Sequence, residues 1–255
     1  VIIKLISALF PASLWRLPTL SLFLVSMTVA SFASAERLRL VTEEWPSLID
    51  NTDDGPAGIL WEISRDVLTN LGYEVSLEFV PWKRALRMVL EGERDGIVGI
   101  GITEERASRL RFPDEILLIS ETVVVSRKDR YVVYSGPESL AGLQVGISPG
   151  YSYYGAIRDV TNFERVSMPG IDSGVRMLML GRIDAMLSNH YVIMAEAQRQ
   201  GVSDDIVVSE LPISRGPLYL AFRQGVPEDF VVKFSNALKR YKAANLITER
   251  PSSGL

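Results

Sequence analysis

The sequence predicts an α/β fold of two similar lobes, the second inserted into the first and joined to it by two chain crossings. Three observations point there. Strand and helix signals alternate from residue 36 onward. Gly92-Glu-Arg-Asp95-Gly-Ile97 and Gly181-Arg-Ile-Asp184-Ala-Met186 share one form, each following an amphipathic helix and entering a strand. Extended segments at 121–127 and 219–223 flank the block 128–215. The implied lobes are residues 36–122 plus 216–255, and residues 123–215. Helix-glycine-strand joints look alike for general reasons, so coincidence stays open for the six-residue match.

Residues 1–35 contain no Asp or Glu, carry Lys4 and Arg16, run apolar from Leu17 through Ala30 and close on Ala33-Ser34-Ala35. That order is a secretory signal peptide, with cleavage expected between Ala35 and Glu36. Pro18, Thr19, Ser21, Ser26 and Thr28 interrupt the run too often for a good membrane-spanning helix. Residues 37–42 read as the first strand. Ile59, Ile63, Val67 and Leu71 have helical spacing, with Gly72 placed to stop the helix. A strand follows at 75–80, and Pro81 then opens a helix whose apolar face is Ala85, Leu86, Val89 and Leu90, ended by Gly92. Residues 97–102 form the third strand. The last helix starts at Pro227, with Phe230, Val231, Phe234, Leu238 and Tyr241 on one face, and 249–255 read as a frayed tail.

Without Lys4 and Arg16, the 27 basic residues fall to 25 against 31 acidic ones, a formal charge of −6 that gives nucleic acid no foothold. Cysteine is absent, which excludes disulfides, thiolate metal sites and a lipidated N-terminal cysteine. The released chain is therefore expected to be free in a bacterial periplasm. A single histidine, His190, gives metal binding little support, and it is expected at a helix start on the surface. Asp50, Asp53 and Asp54 fall in a loop bounded by Pro and Gly and are expected to be solvated, with a rim contact to a basic ligand as the alternative. No metal or cofactor is expected.

The stretch Asp95-Gly-Ile-Val-Gly-Ile-Gly-Ile-Thr-Glu-Glu-Arg106 runs an apolar strand straight into a helix whose first turn carries an arginine. Helix N-termini expose unpaired N–H groups and the positive end of the macrodipole, so Arg106 is mildly repelled there unless an anion sits beside it. A bound carboxylate removes the conflict. Thr103 is a good N-cap, and Gly99 and Gly101 leave the backbone open to close approach. The competing reading is a solvated face where Arg106 pairs with Glu104, Glu105 or Asp114.

With these segments in order, the chain resembles the bacterial extracellular solute-binding proteins of family 3, which have the type 2 periplasmic binding fold of polar amino-acid ABC importers. The carriers are Gly58-Ile-Leu-Trp-Glu-Ile63, Pro81-Trp82, Thr103-Glu-Glu-Arg106, Ser139-Leu-Ala-Gly-Leu-Gln-Val-Gly146 and Gly181-Arg-Ile-Asp-Ala185, spread over essentially the whole chain after the leader. The resemblance implies that Arg106 grips a ligand carboxylate, its planar fork suiting that group better than a lysine. It implies that Gly101 offers its backbone N–H to the same group, and that Trp82 stacks on the ligand. Trp45, in Glu44-Trp45-Pro46, is the expected second aromatic wall, whereas Trp61 is expected in the core. Ser152 matches a hydroxyl position at a helix N-terminus. Tyr151, Tyr153 and Tyr154 crowd the same turn, at least one of them expected to face the cleft.

Three departures from the family pattern accompany this. Asn189 stands where the family's amino-acid binders carry an acid for the ligand ammonium; an amide accepts a hydrogen bond but supplies no countercharge. The first-lobe helix lacks the usual acid three after Gly58. The strand entering Thr103 is one residue shorter than the common pattern, which leaves a role for Gly99 open. The expected function is capture of a small carboxylate-bearing solute, an amino acid or derivative, by a monomer that closes its lobes on it and delivers it to an ABC permease. Two other readings stand beside it. One is a dehydratase-like enzyme of the same fold, with His190, Glu44 and Glu62 as its acid or base candidates. The other is a ligand-sensing partner of a membrane receptor.

Overall fold

The computed structural model describes residues 36–153, 157 and 159–247. The expected signal peptide, Tyr154 and the tail lie outside the described residues. In chain order the elements are β1 (Arg37–Thr42), β2 (Asp50–Thr52), β3 (Gly55–Ala57), α1 (Ile59–Asn70), β4 (Glu74–Phe79), α2 (Trp82–Leu90) and β5 (Gly96–Gly101). There follow α3 (Glu104–Ala107), β6 (Leu110–Arg111), β7 (Leu118–Arg127), β8 (Gln144–Ile147) and β9 (Glu164–Ser167). The chain ends through α4 (Ile171–Met179), β10 (Ala185–Asn189), α5 (His190–Gln200), β11 (Ile206–Val208), β12 (Ser214–Arg223) and α6 (Glu228–Ala244). Pro81 and Pro227 sit one residue ahead of α2 and α6, in extended backbone that leads into the first turn.

Among the described residues ten strands form one mixed sheet with the path β4-β1-β5-β12-β7-β10-β8-β9, β11 pairing with β7 and β6 with β12 beside it. Its two ends are parallel triplets, β4-β1-β5 and β10-β8-β9, and its middle is the antiparallel pair β12 and β7. Each middle strand changes partner half way along. β7 pairs with β12 over 118–122 and with β10 over 122–126, while β12 leaves β7 at Leu218 to pair with β5. These are the two crossings between the sheet's halves. Each half has its own apolar layers. Leu40, Leu60, Ile63, Phe222 and Phe234 pack on one face of the first, with Trp82, Ala85, Val89 and Ile100 on the other. In the second half, Val125, Leu178, Met186 and Ile193 stand on one side and Val124, Val145 and Leu187 on the other.

The short sequence repeat is one structural joint used twice. After α2, Asp95 accepts the Arg39 N–H at 2.9 Å through Oδ2 and donates its own N–H to Arg39 O at 2.9 Å. After α4, Asp184 accepts the Gln144 N–H at 2.9 Å and donates to Gln144 O at 2.8 Å. Each aspartate thus ties the start of its own strand to the neighbouring parallel strand, β1 in one half and β8 in the other. The glycine between helix and strand has φ of +81° at Gly92 and +67° at Gly181, a left-handed turn that few other residues adopt cheaply.

One expectation holds in part: Asp53 and Asp54 lie in a turn between Thr52 and Gly55, but Asp50 belongs to β2 of the hairpin β2–β3. Asp53 and Asp54 are exposed at its turn, and Asp50 accepts the Ser47 N–H.

Candidate functional site

Parallel strands deliver their following loops to one end of the sheet, and the crevice outside those carboxyl ends is where open α/β sheets hold ligands. β5 ends at Gly101, β10 at Asn189, β1 runs on to Trp45, and β8 runs on to the turn at 149–152. These four ends surround one cavity. It is lined by Trp45, Trp82, Gly99, Gly101 and Arg106 from the first half, by Tyr151, Ser152, Tyr153, Leu187, Ser188 and Asn189 from the second, and by Ser120, Thr122 and Leu218 from the crossings. The empty space among them, open mouth included, is about 550 Å³. Of the residues singled out from sequence, Trp45, Trp82, Gly101, Arg106, Tyr151, Ser152 and Asn189 meet here.

Thr103 serves the cavity from behind. Its hydroxyl accepts the Arg106 N–H at 3.1 Å and so caps α3. The cap turns the Arg106 side chain inward, where it is only 7 % exposed, which rules out the solvated face as its setting. The guanidinium donates to Gly101 O at 2.7 Å, to Gly150 O at 2.7 Å and to Ser152 Oγ at 3.1 Å, and lies 5.7 Å from the Trp82 ring centre. Trp82 Nε1 donates to the same Gly150 oxygen at 3.1 Å. Gly150 has φ of +84°, and a Cβ there would come within 3.3 Å of Trp82, so the turn approaches the first half as closely as a glycine permits.

Tyr151 makes the second bridge. Its ring centre lies 5.5 Å from that of Trp45 and 5.6 Å from that of Trp82. Its hydroxyl accepts from Trp45 Nε1 and donates to Glu43 Oε2 at 2.8 Å. Burial pushes the Glu43 carboxyl above its usual range, against the opposing pull of the Tyr151 hydroxyl and the Trp82 backbone N–H. The Tyr151 phenol is driven well above 10, by burial first and then by the neighbouring Glu43. Tyr153 lines the cavity from the core of the second half, where its hydroxyl accepts the Ser148 N–H at 3.0 Å and burial raises its phenol to about 12.

Asn189 is the N-cap of α5, with Oδ1 accepting from the Tyr191 and Val192 N–H groups at 2.9 and 3.2 Å. Its Nδ2 donates to Ser120 Oγ at 3.1 Å. This corrects the expectation of an accepting amide, since the oxygen is already committed to the helix.

The acid and base candidates of an enzyme reading lie elsewhere: Glu44, Glu62 and His190 are exposed and do not line the cavity. Trp61 is buried in the core as expected, at 4 % exposure. Among the described residues no group of three or more His, Asp or Glu side chains could hold a metal ion, and no helix is long and apolar enough to cross a membrane.

Sequence reasoning missed Glu43, Ser120, Thr122 and Ser188. Ser120 and Thr122 carried a readable signal, two hydroxyls at the i, i+2 spacing that puts both on one face of a strand. Glu43 carried none, being one of two adjacent glutamates.

Residues 38–249 match the family described as bacterial extracellular solute-binding proteins, family 3. A search of curated proteins found no match. Among solved structures, an ancestral arginine-binding protein bound to arginine is similar over 82 % of this chain and 93 % of its own, with a TM-score of 0.72 at 20 % identity. The substrate binding protein of an amino acid ABC transporter is similar over 82 % and 94 %, with a TM-score of 0.70 at 18 % identity. A histidine kinase sensor domain with similarity to periplasmic binding proteins is similar over 83 % and 92 %, with a TM-score of 0.71 at 18 % identity. At such identities the likeness shows the fold, which is the type 2 periplasmic binding fold.

Proposed function

This chain belongs to the bacterial extracellular solute-binding proteins, family 3, and from that premise we propose that it captures a small carboxylate-bearing solute in the periplasm and delivers it to the permease of an ABC importer. The carrying observation is the placement of Arg106, a buried guanidinium on the wall of a cavity to which both halves of the sheet contribute. A bidentate arginine fork is the side chain best matched to a carboxylate.

The lobes of this reading are residues 36–122 plus 216–255, and 123–215. They hinge at the two crossings, where β7 and β12 change partners. A solute touching both lobes favours the closed form because only there are all its contacts made. The bonds from Arg106 and Trp82 to Gly150, and from Tyr151 to Glu43, belong to the closed form, and opening exchanges them for water. In the solute complex Arg106 holds the carboxylate together with the Gly101 N–H. Trp45, Trp82 and Tyr151 provide apolar and cation–π surface, Ser152 and Asn189 complete the shell, and Thr103 keeps Arg106 in place. The protein acts as a monomer without a cofactor.

A thermal-shift screen of amino acids and small carboxylates on the purified protein tests this. A ligand selective for the folded state raises the melting temperature by mass action, and one at 100 times its Kd stabilises by about 2.7 kcal/mol. A panel in which cations or neutral sugars shift the transition and no carboxylate does would sink the reading. The structural likeness to a histidine kinase sensor domain supports a second destination for the bound form, a membrane receptor in place of a permease. Co-purification with one or the other from membranes separates them.

A further inference from the structure

If the cavity captures a carboxylate, as the solute-binding reading holds, its wall also selects among carboxylates. Among the described residues that wall has one cationic side chain, Arg106, and no carboxylate. The adjoining residues 154–156, Tyr-Gly-Ala, bring no carboxylate in their sequence either. The floor is a set of neutral polar groups from β7 and β10: Ser120, Thr122 and Asn189. Antiparallel pairing sets Asn189 directly opposite Thr122.

The orientation of Asn189 is decided by α5. Only its amide oxygen can accept the Tyr191 and Val192 N–H groups, so the nitrogen is necessarily the end that reaches Ser120. A side-chain amide nitrogen has two hydrogens and no accepting capacity, and one of the two is directed at Ser120. Toward a bound molecule Asn189 is therefore a donor.

These groups discriminate between substituents beside a bound carboxylate. An ammonium would meet a donor in Asn189 and a guanidinium in Arg106, with no carboxylate on the wall to balance its charge, and a buried cation without a countercharge is strongly disfavoured. Glu43 lines the adjoining clefts rather than this one, and its carboxylate accepts the Tyr151 hydroxyl. A neutral oxygen meets the opposite situation, since it accepts from Asn189 and from the serine and threonine hydroxyls. We propose that the solute is a carboxylate with a neutral oxygen on the adjacent carbon, a 2-hydroxy or 2-oxo acid, and not a zwitterionic α-amino acid.

Isothermal titration of the purified protein with matched pairs tests this: L-lactate against L-alanine, L-malate against L-aspartate, 2-hydroxyglutarate against L-glutamate, and phenyllactate against L-phenylalanine. Within the pair whose side chain fits, the hydroxy acid is expected to bind at least ten times more tightly. An amino acid that binds as tightly as its hydroxy counterpart overturns this inference and leaves the capture of a carboxylate standing. Silence from every pair overturns both. The Asn189→Asp variant supplies a second reading. Aspartate caps a helix as well as asparagine does, so the variant folds, and its free oxygen adds a carboxylate to the wall. The preference for the hydroxy acid is expected to fall at least tenfold in it, and an unchanged preference overturns the inference.

Discussion

Tyr151 and Glu43 are the pair of side chains whose chemistry is most exposed to a change of conditions. Burial outweighs the Tyr151 hydroxyl and raises the Glu43 carboxyl from its usual 4.5, so the folded protein holds this proton more tightly than the unfolded chain does. The stability contributed by the group is then complete below the unfolded value and is lost as pH rises through the folded one. Glu43→Gln keeps an acceptor for the Tyr151 hydroxyl and cannot ionise. Thermal unfolding from pH 4 to pH 8 is expected to show the variant gaining on the wild type as pH rises above about 4.5, with the gap levelling off once native Glu43 has ionised. Parallel curves would contradict the assignment. The tyrosine could be picked from its crowded turn, but its partner could not, because Glu43 and Glu44 differ only in which face of the turn they occupy. Arg106 was legible, because an arginine in the first turn of a helix is a local electrostatic conflict that calls for a reason.

At the level of elements, periodicity exposed the regular pieces and turn chemistry hid the rest. β1, α1, β4, α2, β5 and α6 follow the apolar spacing with boundaries shifted by a residue or two at most. β12 begins at Ser214 rather than 219, because Arg215-Gly216-Pro217 breaks the strand pattern even though Pro217 pairs with Ile119 in the sheet. β2 and β3 were read as loop for the same kind of reason, Pro56 and Gly55 being poor strand formers. The α5 cap was hidden too, since nothing in Ser188-Asn189-His190 announces which end of an amide faces a helix. Replacing Asn189 by Ala is expected to cost about 1 kcal/mol in chemical denaturation through loss of the cap, while Asp in its place is close to neutral. The paired joints predict an ordered result. Asp95→Ala, which removes a 7 % exposed carboxylate that also binds Arg223 at 3.1 Å, should cost about 2–3 kcal/mol. Asp184→Ala, at a more exposed copy of the same bond, should cost no more than about half of that. Equal losses would mean that the second contact to Arg223 is without consequence.

For the whole molecule, the arrangement that matters is a sheet whose two parallel ends are joined by strands that change partners in the middle. It brings the carboxyl ends of β5 and β10 to one cavity and makes every residue of that cavity depend on how the two halves meet. The doubled Gly-x-x-Asp joint made the two halves readable in advance, but the meeting of Trp45, Trp82 and Tyr151 required distances across a crevice that no local pattern encodes. The central claim is that Arg106 holds the solute's carboxylate inside this crevice. The direct measurement is isothermal titration of wild type and Arg106→Ala with the carboxylate that gives the largest thermal shift. A loss of affinity of at least about 100-fold, about 2.7 kcal/mol, is expected from removing one partner of a buried, hydrogen-bonded ion pair. A folded Arg106→Ala protein that binds that carboxylate as tightly as the wild type would contradict the account.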